Sequence, residues 1–272
     1  MSIRTLIKLL IMTDYSIISV NMNNMEDHGF FCVKNKKHAG YLAKSAWLMD
    51  RFSEGMQIKL LLSPERKQVG FLEYIPSEYT WRVVHAPDYL VIHCIWVNSK
   101  KFDYTGMASI LLQDCIQNAK ASNKAGVAVV TSDGTWMADR RVFMKNGFEH
   151  VDDSPPHFQL LARSFKGENF PEFPNNWRER LNAFQNLTLM YTDQCPFIGK
   201  AIAELPPVAE QHGIQLDIHK FNNAAEAREQ MPSPYGVFCL GYQKQLLADH
   251  PISATRFSNI LQKELHLRPI TK

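Results

Sequence analysis

Two side chains able to exchange a proton sit in stretches that otherwise read as buried strand. Glu73 lies between Leu72 and Tyr74 in QVGFLEYIPSEYTW (68–81), and His93 lies between Ile92 and Cys94 in DYLVIHCIWV (88–97). The ordinary pKa of imidazole suits His93 to general-base work near neutral pH, and Glu73 is the competing base. The structural alternatives are a core histidine satisfied by hydrogen bonds and a strand glutamate turned to solvent. Glu78, Tyr79 and Trp81 after Pro76, and Asp133 with Trp136, are candidates for lining a binding pocket or for covering the core.

A second chemical feature is a turn. KKFDYTGMASILL (100–112) places Gly106-Met107-Ala108 between an apolar strand and a helix. Unpaired backbone N–H groups at the positive end of a helix dipole can hold phosphate oxygens there, although small residues serve close helix–sheet packing equally well. The third feature is Cys195 in YTDQCPFIGK (191–200), again between strand and helix, where the dipole lowers a thiol pKa. Ile198 takes the second position of a CxxC pair, so no disulfide closes this corner. The five cysteines, at 32, 94, 115, 195 and 239, leave one over if the others were bridged. A reduced, cytoplasmic compartment is expected.

These residues need elements to position them. HAGYLAKSAWLMDRFSEGMQIKLL (38–61) puts Leu42, Ala46, Met49 and Phe52 at helical spacing and predicts an amphipathic helix ending near Gly55. Residues 68–81 and 88–97 are rich in aromatic and branched side chains, bounded by prolines, and read as strands. Ala108, Leu112, Ile116 and Ala119 predict a helix, and AGVAVVTS (125–132) a buried strand after it, giving a strand–turn–helix–parallel strand unit. A helix over 136–146 capped by Gly147 and closing strands over 148–151 and 157–163 follow.

KGENFPEFPNN (166–176) has two prolines and little apolar periodicity, which marks a domain boundary. Beyond it the pattern predicts a strand over 186–192, a helix from about Phe197 that Pro206-Pro207 break or turn, and a strand over 214–221. A short helix, a strand pair within 233–249 and a final helix complete the chain.

At 272 residues and 45% hydrophobic, the sequence can fill the cores of two domains. Its net charge of +3 falls entirely before residue 185, because 185–272 hold eight basic and eight acidic side chains. No basic face for nucleic acid emerges. The opening MSIRTLIKLLIMTDYSIISV is too short in apolar run to span a membrane and lacks a small-x-small cleavage site, so no membrane association is expected. Whether Met12 is the natural start, and whether the chain forms a homodimer, the sequence leaves open.

The order of elements from Leu90 to Phe148, with ADRRVFMKNGFE (138–149), resembles the GNAT family of acyl-CoA-dependent N-acetyltransferases. HAGYLAKSAWLMDRF, FLEYIPSEYTW, IHCIWV, TSDGTWMA and QCPFIGK, five blocks in order over about 190 residues, are together similar to the YoaP type, in which a GNAT domain precedes a small thioredoxin-like domain.

That resemblance implies an α/β protein: a GNAT acyl-CoA N-acyltransferase fold with a mixed central sheet, then a thioredoxin-like α/β domain. The expected layout is an N-terminal arm and first strand (1–20), the GNAT domain (21–165), a linker (166–184) and the thioredoxin-like domain (185–272). In the family the central strand splays from its neighbour and pairs with pantetheine, and the following turn binds pyrophosphate. The matching positions are Trp96 and Val97 at the strand end and Thr105, Gly106, Met107, Ala108 and Ser109 in the turn. Asp103 stands where the family has Arg or Gln, and Tyr104 where many members have another glycine.

Phe143 occupies the place of a tyrosine that often protonates the departing thiolate; a phenyl ring cannot donate, so it is expected to be a core residue beside the pantetheine arm. The implied co-substrate is acetyl-CoA, the acceptor an amine of a small molecule or peptide, the base Glu73 or His93, and no metal is expected. Ser233-Pro234 matches a cis-proline that faces the cysteine in thioredoxin folds. Two alternatives stand beside this reading: a degenerate GNAT module that binds without turnover, and a monothiol redox protein using Cys195.

Overall fold

The computed structural model describes residues 14–98, 106–134, 136–167 and 169–269. A first sheet contains β1 (Ser16–Val20), β2 (Gln57–Leu62), β3 (Gln68–Pro76), β4 (Tyr89–Val97), β5 (Gly126–Ser132), β6 (Glu149–Ser154) and β7 (Phe158–Ser164). Its order is β1-β2-β3-β4-β5-β7-β6, and every pair is antiparallel except β4–β5. The mixed α/β sheet implied by the resemblance is therefore present. Helices α1 (Met25–His28), α2 (Ala39–Ser53), α3 (Met107–Ala121) and α4 (Arg140–Met144) accompany it.

Helix α3 forms as its spacing predicts: Leu111, Leu112, Cys115, Ile116 and Ala119 are buried among side chains of β3, β4 and β5. Helix α2 also forms, but its buried face is not the expected one. Leu42 and Met49 are exposed, and the face turned inward is Gly40, Tyr41, Lys44, Trp47, Leu48 and Arg51. The Trp47 ring packs on Trp81 at 5.6 Å, and Lys44 and Arg51 lie over Trp47, so one large aromatic anchors a face that also carries two cations.

Helix α4 is shorter than the expected 136–146. Asp139 caps it by accepting the Arg141 N–H at 2.8 Å, and Trp136, at φ 75°, is in a left-handed conformation that no right-handed helix can include. Gly147, at φ 80°, closes the other end as predicted, with its N–H on the Met144 carbonyl.

After α5 (Trp177–Arg180), a second sheet of β8 (Thr188–Tyr191), β9 (Asp217–Lys220), β10 (Phe238–Tyr242) and β11 (Gln245–Ala248) has the order β11-β10-β8-β9, with β8 and β9 parallel. Helices α6 (Ile198–Gln211), α7 (Ala224–Gln230) and α8 (Ala254–Asn259) complete it. Helix α6 runs through Pro206 and Pro207 instead of breaking. Its inward face, Ile198, Ala201, Leu205 and Ala209, is wholly buried, and that burial outweighs the hydrogen bonds the prolines forfeit.

The bond before Pro234 is trans, contrary to the expected cis form; the cis bond among the described residues is Pro155–Pro156. Pro234 is the second residue of a turn closed by the Gly236 N–H on the Ser233 carbonyl (3.2 Å), a place where an ordinary β-turn takes trans proline.

The two sheets share their cores. One apolar cluster joins Val91 and Phe158 to Ile198 and Phe238, and another joins Trp47 and Trp81 to Met190 and Met231. The connecting stretch after β7 is itself pinned: His85 and Glu172 exchange backbone hydrogen bonds of 2.9 Å, and Phe173 is buried. No helix among the described residues is long and apolar enough to cross a membrane.

Candidate active site

The site begins where β4 and β5 stop pairing. Their register runs from Tyr89–Gly126 to Ile92–Val129, yet β4 continues to Val97 and β5 to Ser132. On the other side β3 stays paired with β4 as far as Val97, with Glu73 opposite Cys94 and Tyr74 opposite Ile92. His93 is thus an extra residue, a bulge that increases local twist and drives the strand ends apart.

The wedge opens into a cavity of about 690 Å³. Its walls carry Lys44 from α2, Phe71 and Glu73 from β3, His93 through Val97 from β4, and Ala108 from α3. The second sheet closes it with Gln194, Cys195, Pro196 and Phe197 from the β8–α6 corner and with Tyr235. At the mouth the exposed rings of Trp136 and Phe197 meet at 5.9 Å, and the exposed Trp96 packs on Phe31 at 5.1 Å.

Glu73 and His93 are adjacent and both buried on the cavity floor. Glu73 Oε2 pairs with Lys44 Nζ at 2.5 Å. Burial pushes the Glu73 carboxyl upward, but Lys44 and then the neighbouring His93 more than reverse this and hold it at about 2, so it is ionised. The Trp81 N–H (3.2 Å) and the Thr80 hydroxyl (3.0 Å) both point at His93 Nε2. An N–H can only donate, so Nε2 is the acceptor and the ring proton sits on Nδ1, facing Glu73 Oε1 at 3.5 Å. Burial, with Arg82 and Lys44 adding to it and Glu73 opposing, lowers His93 to about 4. The imidazole is neutral at pH 7, and its basic nitrogen already accepts hydrogen bonds from protein groups.

Trp96, Val97 and Ala108 line the same cavity. Gly106, at φ 121°, starts α3, and no side chain among the described residues caps it. The first turn leaves the amides of Met107, Ala108 and Ser109 without intrahelical partners, since the first helical bond closes from Ile110 N–H to the Gly106 carbonyl. The Met107 side chain is buried in the core, while Ser109 is half-buried. Thr105, like Asp103 and Tyr104, lies outside the described residues. Phe143 is fully buried edge-on to Phe148 and does not line the cavity, where its neighbour Val142 does. Glu78, Tyr79, Trp81 and Asp133 are likewise absent from the cavity wall: Glu78 reaches Lys124 at 3.4 Å, Tyr79 is exposed, Trp81 is core and Asp133 lies 3.5 Å from Gln159.

Cys32, Cys94 and Cys195 all face the cavity as free thiols. Burial raises each, Cys94 to about 12. At Cys195 the Phe197 backbone N–H opposes this without reversing it, so the depressed thiol that the redox alternative needs is not found.

Three polar residues of the site escape sequence reasoning: Lys44, Arg82 and Gln194. Lys44 had a usable signal, because Tyr41, Lys44, Leu48 and Arg51 form their own helical stripe. Arg82 and Gln194 come together from positions 112 residues apart and carry no local signal.

A mixed sheet splayed at a bulged fourth strand, with a long helix starting at the open end, is the α/β arrangement implied by the GNAT resemblance. Along the sequence, the chain is 28% identical over 249 residues to the uncharacterized N-acetyltransferase YoaP of Bacillus subtilis, covering 90% of this chain and 97% of that protein. The likeness to the YoaP type thus extends across both sheets. No family model matches the chain. Among solved structures, the GNAT family N-acetyltransferase YhbS from Escherichia coli in complex with CoA shares 14% identity over 60% of this chain and 91% of its own, with a TM-score of 0.38. An acetyltransferase of the GNAT family from Staphylococcus aureus shares 14% over 55% and 98%, with the same score. Likenesses at that level add nothing to the topology already described.

Proposed function

We propose that this protein is an acetyl-CoA-dependent N-acetyltransferase acting on the primary amine of a small molecule or peptide. The observation that carries the reading is the wedge itself: one cavity reaches from the first turn of α3 to an ionised, buried carboxylate. The amides of residues 107–109 and the dipole of α3 suit a pyrophosphate. Beyond His93, whose carbonyl accepts from Arg82, β4 has no β5 partner among the described residues, and its backbone groups there suit an extended pantetheine amide. The name of the YoaP relative agrees with this activity.

Acetyl transfer needs a deprotonated amine, a polarised thioester carbonyl and a proton for the departing thiolate. Glu73 attracts the acceptor ammonium into the cavity and places its nitrogen. With a pKa of about 2 the carboxylate does not retain the proton, which passes to water at the mouth. His93 acts through Glu73 as a positioning residue, its ring held by Thr80 and Trp81. Phe143 cannot donate a proton, so water protonates the thiolate.

The second unit is read as thioredoxin-like, supported by the parallel β8–β9 pair joined through α6, the antiparallel β10 and β11 after α7, and Cys195 ahead of α6. It serves recognition, since it closes the cavity and its cysteine is not activated. Five free cysteines fit a reducing, cytoplasmic setting.

The test is CoA-thiol release from acetyl-CoA across a panel of amines. Amine-dependent turnover that falls at least about 100-fold in Glu73→Gln is expected. Acetyl-CoA binding with no turnover on any amine would favour the degenerate module instead.

A further inference from the structure

Arg82 is a buried charge that acetyl transfer as described leaves unexplained. It is 2% exposed, and its partners are all neutral. Nη1 donates to Gln194 Oε1 at 3.1 Å and to the Tyr235 carbonyl, Nη2 donates to the His93 carbonyl, and Nε has no partner among the described residues. Glu73, the carboxylate among the described residues of the cavity wall, is already paired with Lys44. Among the described residues the cavity wall therefore carries two cations, Lys44 and Arg82, against one anion, and the guanidinium has no carboxylate of the kind that a buried arginine ordinarily requires.

Gln194 stands between the two unlike charges. Its amide oxygen accepts from Arg82, and its amide nitrogen donates to Glu73 Oε1 at 3.3 Å. The orientation is forced, because a guanidinium only donates and a carboxylate only accepts. The side chain thus presents negative polarity to Arg82 and positive polarity to Glu73 across one carbon atom.

We infer that the acceptor is a free α-amino acid, whose carboxylate takes the place of the Gln194 amide oxygen on Arg82 and whose ammonium takes the place of the amide nitrogen on Glu73. This deepens, and rests on, the transferase reading. A zwitterion has the same polarity as the amide it displaces, carries full charges where the amide has partial ones, and supplies the anion that the cavity lacks. A peptide with a free N-terminal amine has no carboxylate next to that amine and does not fit both ends. Gln194 is then a placeholder that keeps Arg82 and Glu73 satisfied until the acceptor enters.

The experiment is binding to the full chain, followed by calorimetry, of the standard amino acids, each beside its carboxamide and its decarboxylated amine. At least one amino acid should bind, with its amide and amine at least about 10-fold weaker. Arg82→Gln should abolish that difference. Gln194→Ala, which removes the placeholder and keeps both charges, should tighten the amino acid, and by more than it tightens the amide, which meets Arg82 without a full charge; it decides the matter if Arg82→Gln fails to fold. Equal binding of acid and amide, no binding of any amino acid, or a Gln194→Ala protein with no gain would each overturn the inference. None of these arms needs the acetyl donor, so failure to bind acetyl-CoA would count against the transferase reading alone.

Discussion

The carbonyl oxygen of Pro196 lies 1.8 Å from the point a Cβ on Gly40 would occupy, so the first turn of α2 and the corner bearing Cys195 meet backbone against backbone. A second such contact holds Gly236, at φ 65°, whose Cβ would fall 1.8 Å from the Trp81 carbonyl oxygen. Both contacts flank the cavity and bring the second sheet's residues to it.

Gly40→Ala should therefore destabilise the protein by about 3 kcal/mol or more, since neither backbone can retreat cheaply, although alanine normally favours a helix by about 1 kcal/mol. Gly199→Ala makes the control. It lies on the other side of the same contact, its nearest neighbour would be 3.9 Å away, and it should be neutral or gain up to about 1 kcal/mol. Urea unfolding of the two variants reads the difference; equal effects would contradict the close approach.

Lys44→Met and Glu73→Gln should each cost about 3–5 kcal/mol, because either change strands a charge where both side chains are at most 3% exposed. The double variant should recover much of the loss, which a double-mutant cycle measures. Additive losses would show that the two charges do not depend on each other.

Acid should destabilise the fold in two successive windows. The folded-state pKa of His93 is depressed from 6.5 to about 4, so between those values the unfolded chain binds the proton first and stability falls as pH falls. Glu73 is depressed from 4.5 to about 2, so the stability it contributes is present above about 4.5 and is lost as pH drops toward 2. The His93 window is worth at most about 3 kcal/mol. Urea titrations at a series of pH values should show that slope in the native protein and its loss between 6.5 and 4 in His93→Gln; the same slope in both would contradict a buried neutral imidazole.

Cys195 should alkylate slowly at pH 7 and faster as pH rises past the ordinary thiol range, since burial raises its pKa. Peptide mapping after iodoacetamide treatment follows it. Rapid modification at pH 7 would revive the redox alternative.

Much of the first sheet was legible because its signals are local. The apolar run of 88–97, the small residues Gly106 and Ala108 and the spacing of Leu112, Ile116 and Ala119 each report on their own neighbourhood, and together they predict the parallel β4–β5 unit. The inward face of α2 was not legible, because Leu42 and Met49 are as apolar as Tyr41 and Leu48, and partners distant in sequence, Phe30 on Tyr41, Glu73 on Lys44 and Trp81 on Trp47, decide which side is covered. The passage of α6 through Pro206 and Pro207 is hidden for a similar reason: a helix breaker is overridden by burial that the local sequence does not display. Glu73 and His93 were found as residues, but their electrostatics were not, since these depend on Lys44, Thr80 and Arg82 arriving from other elements.

The central claim is that the wedge between β4 and β5 holds acetyl-CoA with its pyrophosphate on the first turn of α3. Calorimetric titration of acetyl-CoA tests it, with Ala108→Glu as the comparison. Ala108 lines the cavity within the first turn, where a glutamate is compatible with the helix and would set a negative charge against the phosphates. Gly106 is a poorer place for the change, because its φ of 121° strains any other residue. Saturable binding by the native protein, lost in a variant of unchanged melting temperature, is the expected result; no binding by the native protein, or equal binding by both, would contradict the account.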